Sequence, residues 1–316
     1  MPKPKYQFQL KADLSEVVGE RKVVASSIGP SGEACLLLVD PAHEKSPFGR
    51  EERKGFASFP FSKPKNHYPA TYIRFDGGVL EQTELPEVDI AFPTVQPLPN
   101  GEILLVGARC HYRDGDPEQN AAIHDSKGRV ARRFVLGDGI ADVQTTSDGL
   151  IWVSYFDEGV FGNYGWKKPM GSAGLVSYDM QGRVIWAFDP PDGLDAIADC
   201  YALNVAPEAA WACYYTDFPV VQVQSGQVRA WKNQIGGANA LVVDGRRLVL
   251  WGGYGDNHSR CVFQEIAGES LINCVELNVK FPSGSNPMPT RVRGRGNTLH
   301  AFGEKTWLAF SLDAIG

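Results

Sequence analysis

Two stretches of the chain echo each other. TVQPLPNGEILLVGARC (94–110) and DVQTTSDGLIWVSYFDE (142–158) share a Val-Gln pair at one offset, Val95-Gln96 and Val143-Gln144, and a glycine seven residues after the first position. Each reads as a strand, a tight turn whose glycine takes positive φ, and a second β-rich strand. A recurring hairpin constrains the fold more than any other feature here, because one copy cannot bury its apolar face alone and must stack on its neighbours.

The same hairpin type recurs as VVASSIGPSGEACLLLV (23–39), CYALNVAPEAAWACYYTD (200–217), ANALVVDGRRLVLWGGY (238–254) and TRVRGRGNTLHAF (290–302). A second type alternates with it: YIRFDGGVLEQTEL (72–85), AIHDSKGRVARRFVL (122–136) and VSYDMQGRVIWAFD (176–189), then the more degenerate VQVQSGQVRAW (221–231) and FQEIAGESLINCVEL (263–277). Pairing the two types predicts six four-stranded antiparallel units, each of about 50 residues. The sixth unit has only TWLAFSL (306–312) left for its outer half, and YQFQL (6–10) at the N-terminus supplies the missing strand. The expectation is an all-β, six-bladed β-propeller, a single domain over 1–316, its ring closed by the N-terminal strand joining the last blade. A seven-bladed ring and a two-domain β protein are the alternatives.

Composition fits this reading. Hydrophobic residues make up 43%, enough for a sizeable core, and the 34 glycines and 21 prolines are scattered as turns require. A net charge of −6 argues against a nucleic-acid partner. No apolar run is long enough for a membrane span. The N-terminal MPKPKYQFQLKADLSEV has no apolar signal core, which points to a cytoplasmic location. The six cysteines (35, 110, 200, 213, 261 and 274) stand singly and read as small buried hydrophobes.

In a propeller the turns within each hairpin lie on one face, and here they are short. The loops between hairpins share the opposite face; they are 40–70, 109–120, 157–173, 189–198, 254–260 and 280–289. Long functionalised loops on a rigid scaffold are where binding resides. The candidate ligand-binding residues there are Arg109, His111, Asp138, Tyr155, Asp157, Glu158, Trp166, Tyr215, Tyr254, Asp256 and Arg291, with Tyr112, Phe156 and Tyr164 adding aromatic faces. The insertion PAHEKSPFGREERKGFASFPFSKPKNHYPA (41–70) mixes both charges with Phe48, Phe56, Phe59 and Phe61, and reads as a lid, a partner contact or a packed insertion.

The repeated Tyr178-Asp179-Met180-Gln181-Gly182-Arg183-Val184 type of turn resembles the outer hairpin of six-bladed propellers of the NHL-repeat or regucalcin/gluconolactonase kind. Inner strands are entered by Thr94, Asp142, Asp199, Asn239 and Thr290-Arg291, and Ile140-Ala141-Asp142 is echoed by Ile197-Ala198-Asp199. Oxygen ligands suit a hard cation such as Ca²⁺. The resemblance implies a central divalent metal held by Glu, Asn and Asp, which maps by position onto Asp142, Asp199 and Asn239. Where the lactonase glutamate stands, the first blade has Val24, Ala25 and Ser26. The competing reading is that these side chains cap strand starts.

No G-x-S-x-G, H-E-x-x-H, Walker, G-x-G-x-x-G or EF-hand motif occurs. The sequence therefore favours a binding or interaction module that takes a protein, peptide or small polar ligand on its loop-rich face. The alternative is a divalent-metal-dependent hydrolase or lactonase at the channel mouth, with metal-bound water as nucleophile and Asp138 as base. A carbohydrate-active protein stacking sugars on Trp166 and the tyrosines is a third.

Overall fold

A computed structural model of the chain describes residues 5–52, 55, 58–283 and 291–315. Besides two two-stranded pairings, its strands form six sheets, antiparallel but for one added N-terminal strand, of the all-β, six-bladed β-propeller class, in two compact units: Val17–Phe188, and Met1–Glu16 with Asp189–Gly316.

The first unit holds three blades. They are built from Lys22–Ile28, Ala34–Val39, Tyr68–Phe75 and Val79–Val88; from Pro93–Pro97, Ile103–Gly107, Ala121–His124 and Val130–Phe134; and from Ile140–Thr145, Ile151–Tyr155, Leu175–Tyr178 and Val184–Ala187. Every residue of each second strand is buried, which is why CLLLV and ILLV are unbroken apolar runs: both faces of that strand are covered. Outer strands such as Val130–Phe134 turn residues to solvent. Blades one and two meet at Gly128, where positive φ (77°) and a Cβ position 1.9 Å from the Glu84 carbonyl oxygen leave room only for glycine.

Buried amides tie the inner strands together. Gln96 of the second blade donates to the Ile28 carbonyl (3.2 Å) of the first and accepts from the Thr145 N–H (3.1 Å) of the third. The second unit has its own version. Asn204, wholly buried in strand Asp199–Val205, donates to the carbonyls of Leu241 (3.1 Å) and Gly296 (2.7 Å) and accepts from the Gly296 N–H (2.8 Å).

The second unit also holds three blades. Asp199–Val205, Ala210–Tyr215, Val220–Gln224 and Gln227–Trp231 form the fourth, and Ala238–Asp244, Arg247–Gly252, Cys261–Ala267 and Ser270–Lys280 the fifth. In the sixth, Val292–Arg295, Thr298–Phe302 and Thr306–Ser311 are completed by Gln9–Asp13. The N-terminus therefore does close the last blade, but residues 6–10 are not one strand. Lys5–Gln7 runs parallel to Ser270–Lys280 in the fifth blade, and Gln9–Asp13 runs antiparallel to Thr306–Ser311 in the sixth. Phe8 divides the two: its side chain is fully buried against Trp251, Phe281 and Phe310, so the chain turns inward there instead of continuing as an edge.

The described part of the insertion 41–70 is largely exposed up to residue 60 and is tied down at a few points. It has two 3₁₀ turns, Pro41–His43 and Ser46–Phe48, and a short pairing of Arg50–Glu51 with Phe59–Pro60. Phe48 lies against Phe92, and the Lys63 ammonium reaches Asp89 (3.3 Å) and the Gln119 carbonyl (2.8 Å). Phe56 lies outside the described residues, as do Thr290 and most of loop 280–289. Five of the cysteines are buried as expected; Cys274 is exposed, on the outer strand of the fifth blade.

Candidate functional site

At the loop end of the first unit, Arg109 leaves the second blade and runs into the third. Its guanidinium makes a two-pronged contact with Asp138, Nε to Oδ1 and Nη2 to Oδ2, both 2.9 Å, and Nη2 lies 2.5 Å from Glu158 Oε2. Asp138 and Glu158 sit at opposite ends of hairpin 137–159, so one cation joins them. Asp138 also accepts from the Cys110 N–H (2.8 Å). Burial pushes the Asp138 carboxyl up, against the opposing pull of Arg109 and the Cys110 N–H.

The Arg109 fork stacks 4.1 Å from the Tyr164 ring and 5.3 Å from Phe156. Tyr164 has φ of 48°, which costs a bulky residue about 1–3 kcal/mol and persists only where contacts over-determine it. Those contacts are Arg109 on the ring, His111 at 4.4 Å, and a hydroxyl donating to the Pro60 carbonyl (2.5 Å) of the insertion. Burial, then the nearby Arg113, lowers the affinity of His111 for a proton. The Trp166 indole N–H donates to the Cys110 carbonyl (2.7 Å), and the His111 N–H to Glu118 (3.0 Å). Loops 109–120 and 157–173 are thus cross-linked and preorganised.

Beside this cross-link lies a cavity of about 470 Å³ lined by Tyr112, Asp114, Gly115, Gly165, Trp166, Lys167 and Lys168. One wall is a small hairpin in which Arg113 pairs with Asp116. Asp114 and Gly115 turn it with φ of 51° and 91°, the positive pair of a type I′ turn. The other wall is held close: a Cβ at Gly165 would stand 2.1 Å from the Tyr112 carbonyl oxygen.

Several expected site residues take other roles. Tyr155 touches no surface; it is 0% exposed and its hydroxyl donates to the Leu136 carbonyl (2.5 Å) and pairs with Tyr178 (2.7 Å). Its hydrophobic alternation reads the same whether the ring faces a mouth or the core. Tyr155→Phe is expected to cost about 1–2 kcal/mol in denaturant unfolding, with ligand affinity unchanged. Asp157 is exposed and accepts from the Glu158 N–H (2.7 Å). Trp166 is buried and serves as a wall.

In the second unit, Tyr254 donates to the Tyr201 hydroxyl (2.7 Å), and both rings pack on Phe218, as does Tyr215. Tyr215 and Tyr254 each keep about half their surface in solvent. Asp256 is exposed in the 3₁₀ turn Gly255–Asn257, and Arg291 is exposed just before strand Val292–Arg295.

The three residues proposed as metal ligands stand at different offsets from a local strand irregularity. The inner strands of the third, fourth and fifth blades each carry a β-bulge near the start, at Ala141, Tyr201 and Asn239. Asp142 follows its bulge, Asp199 precedes the next by two residues, and Asn239 is itself the bulge residue. The Ile-Ala-Asp echo is therefore not a structural repeat, because each bulge resets which face a residue addresses. Among the described residues, no group of three or more His, Cys, Asp or Glu side chains is placed to hold a metal.

Sequence reasoning missed Glu118, Lys167, Lys168, Tyr201 and Phe218. The Lys167-Lys168 pair was visible as adjacent charge, but nothing in the sequence brings it to the Asp114-Gly115 turn.

Residues 175–247 match the YxzG family. No curated protein matches the chain in sequence. Similar solved structures include the PQQ-bound aldose sugar dehydrogenase of Streptomyces coelicolor, at 10% identity over 96% of this chain and 97% of that one, with a TM-score of 0.46. Apo AztD from Citrobacter koseri is 13% identical over 92% and 83%, with a TM-score of 0.45. A catalytically inactive virginiamycin B lyase from Staphylococcus aureus, solved with quinupristin, is 11% identical over 96% and 99%, with a TM-score of 0.44. At these values the likenesses carry no chemistry across to this chain.

Proposed function

We propose that the chain is a binding propeller that takes a small polar molecule at the loop end of its first unit. The reading rests on the cavity of about 470 Å³ between Tyr112 and Trp166, whose walls the Arg109 cross-link holds in place. Its volume falls in the range of about 300–1,000 Å³ in which small-molecule sites lie. An aromatic wall, two ammonium groups and a carboxylate match the usual make-up of such sites, a mostly apolar lining with a few polar groups that fix orientation.

Saturation-transfer NMR against a panel of small polar metabolites tests it. At least one compound is expected to bind, and Tyr112→Ala, at an exposed position, is expected to weaken that binding while the melting temperature holds. A panel without binders, or binders indifferent to Tyr112, overturns the reading. The same preparation separates it from the hydrolase alternative: Ca²⁺, Mg²⁺, Mn²⁺ or Zn²⁺ is expected to leave the melting temperature unchanged. A rise would favour a metal site drawing on Asp142, Asp199 or Asn239.

A further inference from the structure

We infer that the ligand of this cavity is a nucleoside monophosphate. The inference rests on the binding reading above and assigns a partner to the charged groups and the aromatic face of the lining. Among the described residues, no hydrogen bond or ion pair engages the Lys167 and Lys168 ammonium groups, the Asp114 carboxylate or the Tyr112 hydroxyl. Trp166, by contrast, has already donated its indole N–H to Cys110 and offers only its ring. The unspent groups are thus two point cations, one anionic acceptor, one hydroxyl and an aromatic surface.

Two adjacent ammonium groups on a chain of net charge −6 form a local positive site. Lysine binds phosphate as a point charge, and two adjacent ammonium groups match the charge of a dianion. A phosphate monoester carries close to two negative charges at neutral pH. Tyr112 remains 37% exposed with its ring 5.0 Å from that of Trp166, which presents an aromatic face on a fixed support. Such a face stacks a planar base irrespective of its identity. Asp114 is an acceptor only, set at the tip of a rigid type I′ turn, and two neighbouring hydroxyls are what a lone carboxylate can bind without repelling the phosphate. Base, vicinal diol and phosphate in one small molecule describe a ribonucleotide.

Calorimetric titration with adenosine monophosphate, adenosine and inorganic phosphate tests this on the full chain. The nucleotide is expected to bind at least about tenfold more tightly than either fragment. Lys167→Gln with Lys168→Gln is expected to remove that advantage and leave adenosine binding unchanged, and Asp114→Asn to abolish the preference for ribonucleotide over its dideoxy analogue. Both sets of substitutions are at the surface, and unchanged melting curves establish that the variants fold. Nucleotide affinity indifferent to both lysines overturns the inference. So does a neutral or cationic panel compound that binds in a Tyr112-dependent way while the nucleotide does not; the cavity then remains a binding site with a different ligand. If nothing in the panel binds, the binding reading itself falls.

Discussion

Arg109→Ala is expected to destabilise the protein by about 3–5 kcal/mol, the cost of leaving one partner of a buried ion pair uncompensated. The loss is not of attraction alone. Asp138 is almost wholly enclosed, and its two carboxylate oxygens would face vacated space while the Cys110 N–H stayed in place. Glu158 is a third exposed overall, but the Oε2 that faces Arg109 is buried with no hydrogen-bond partner, so it adds to the deficit. The double variant Arg109→Met with Asp138→Leu removes the most deeply buried pair and leaves only Glu158 without its cation, so it is expected to recover part of the loss.

The pH dependence follows from the direction in which Asp138 is shifted. Burial raises its carboxyl in the folded state, so the folded chain takes up a proton more readily than the unfolded one. Its contribution is therefore fully favourable below the unfolded carboxylate value, about 3.9, and is lost as pH rises through the folded value. Without Arg109 the opposing pull disappears and that window extends upward. The gap between wild type and Arg109→Ala, read by denaturant unfolding, is expected to narrow as pH falls from neutrality toward the carboxylate range. A gap that stays constant on acidification would show that the cost lies in lost packing on Tyr164 rather than in the orphaned charge.

Asn204→Ala is expected to be of similar size. The side chain serves the Leu241 and Gly296 carbonyls and the Gly296 N–H; the half-buried Gly296 carbonyl keeps the Val243 N–H (3.1 Å), and each group left without a partner costs about 1–3 kcal/mol. Asn204→Asp distinguishes the terms. It keeps an acceptor for the Gly296 N–H but turns a carboxylate toward two carbonyl oxygens, so it is expected to be worse than alanine at neutral pH and to recover on acidification. Thermal and denaturant melts of the two variants check this, and a neutral Asn204→Ala would show that water replaces the amide.

The hairpins were legible because their code is local. Alternation within a strand and a glycine at the turn occur in the same dozen residues, and the six inner hairpins fall where 94–110 and 142–158 led one to expect them. Register was not legible. Ala141, Tyr201 and Asn239 look like ordinary strand residues, and only the pairing shows that each is an extra residue that displaces its neighbours. The buried amides were hidden for a related reason: a polar residue in a strand reads as facing outward, and Gln96 and Asn204 face inward. The site was half legible. Arg109, Asp138, Glu158 and Trp166 could be named from their loops, but that one arginine would bind two carboxylates at opposite ends of a hairpin depends on how adjacent blades stack.

The division of the chain into units bears on how it is made. Val17–Phe188 is continuous in sequence, whereas its companion unit needs both Met1–Glu16 and Asp189–Gly316. A ribosome delivers the N-terminus first, and domains fold as they emerge. The first unit can complete its blades during synthesis, but Phe8 has no pocket until Trp251, Phe281 and Phe310 have all been added. Strands Lys5–Gln7 and Gln9–Asp13 therefore have no partner until Ser270–Lys280 and Thr306–Ser311, more than 250 residues later in the chain, have been made.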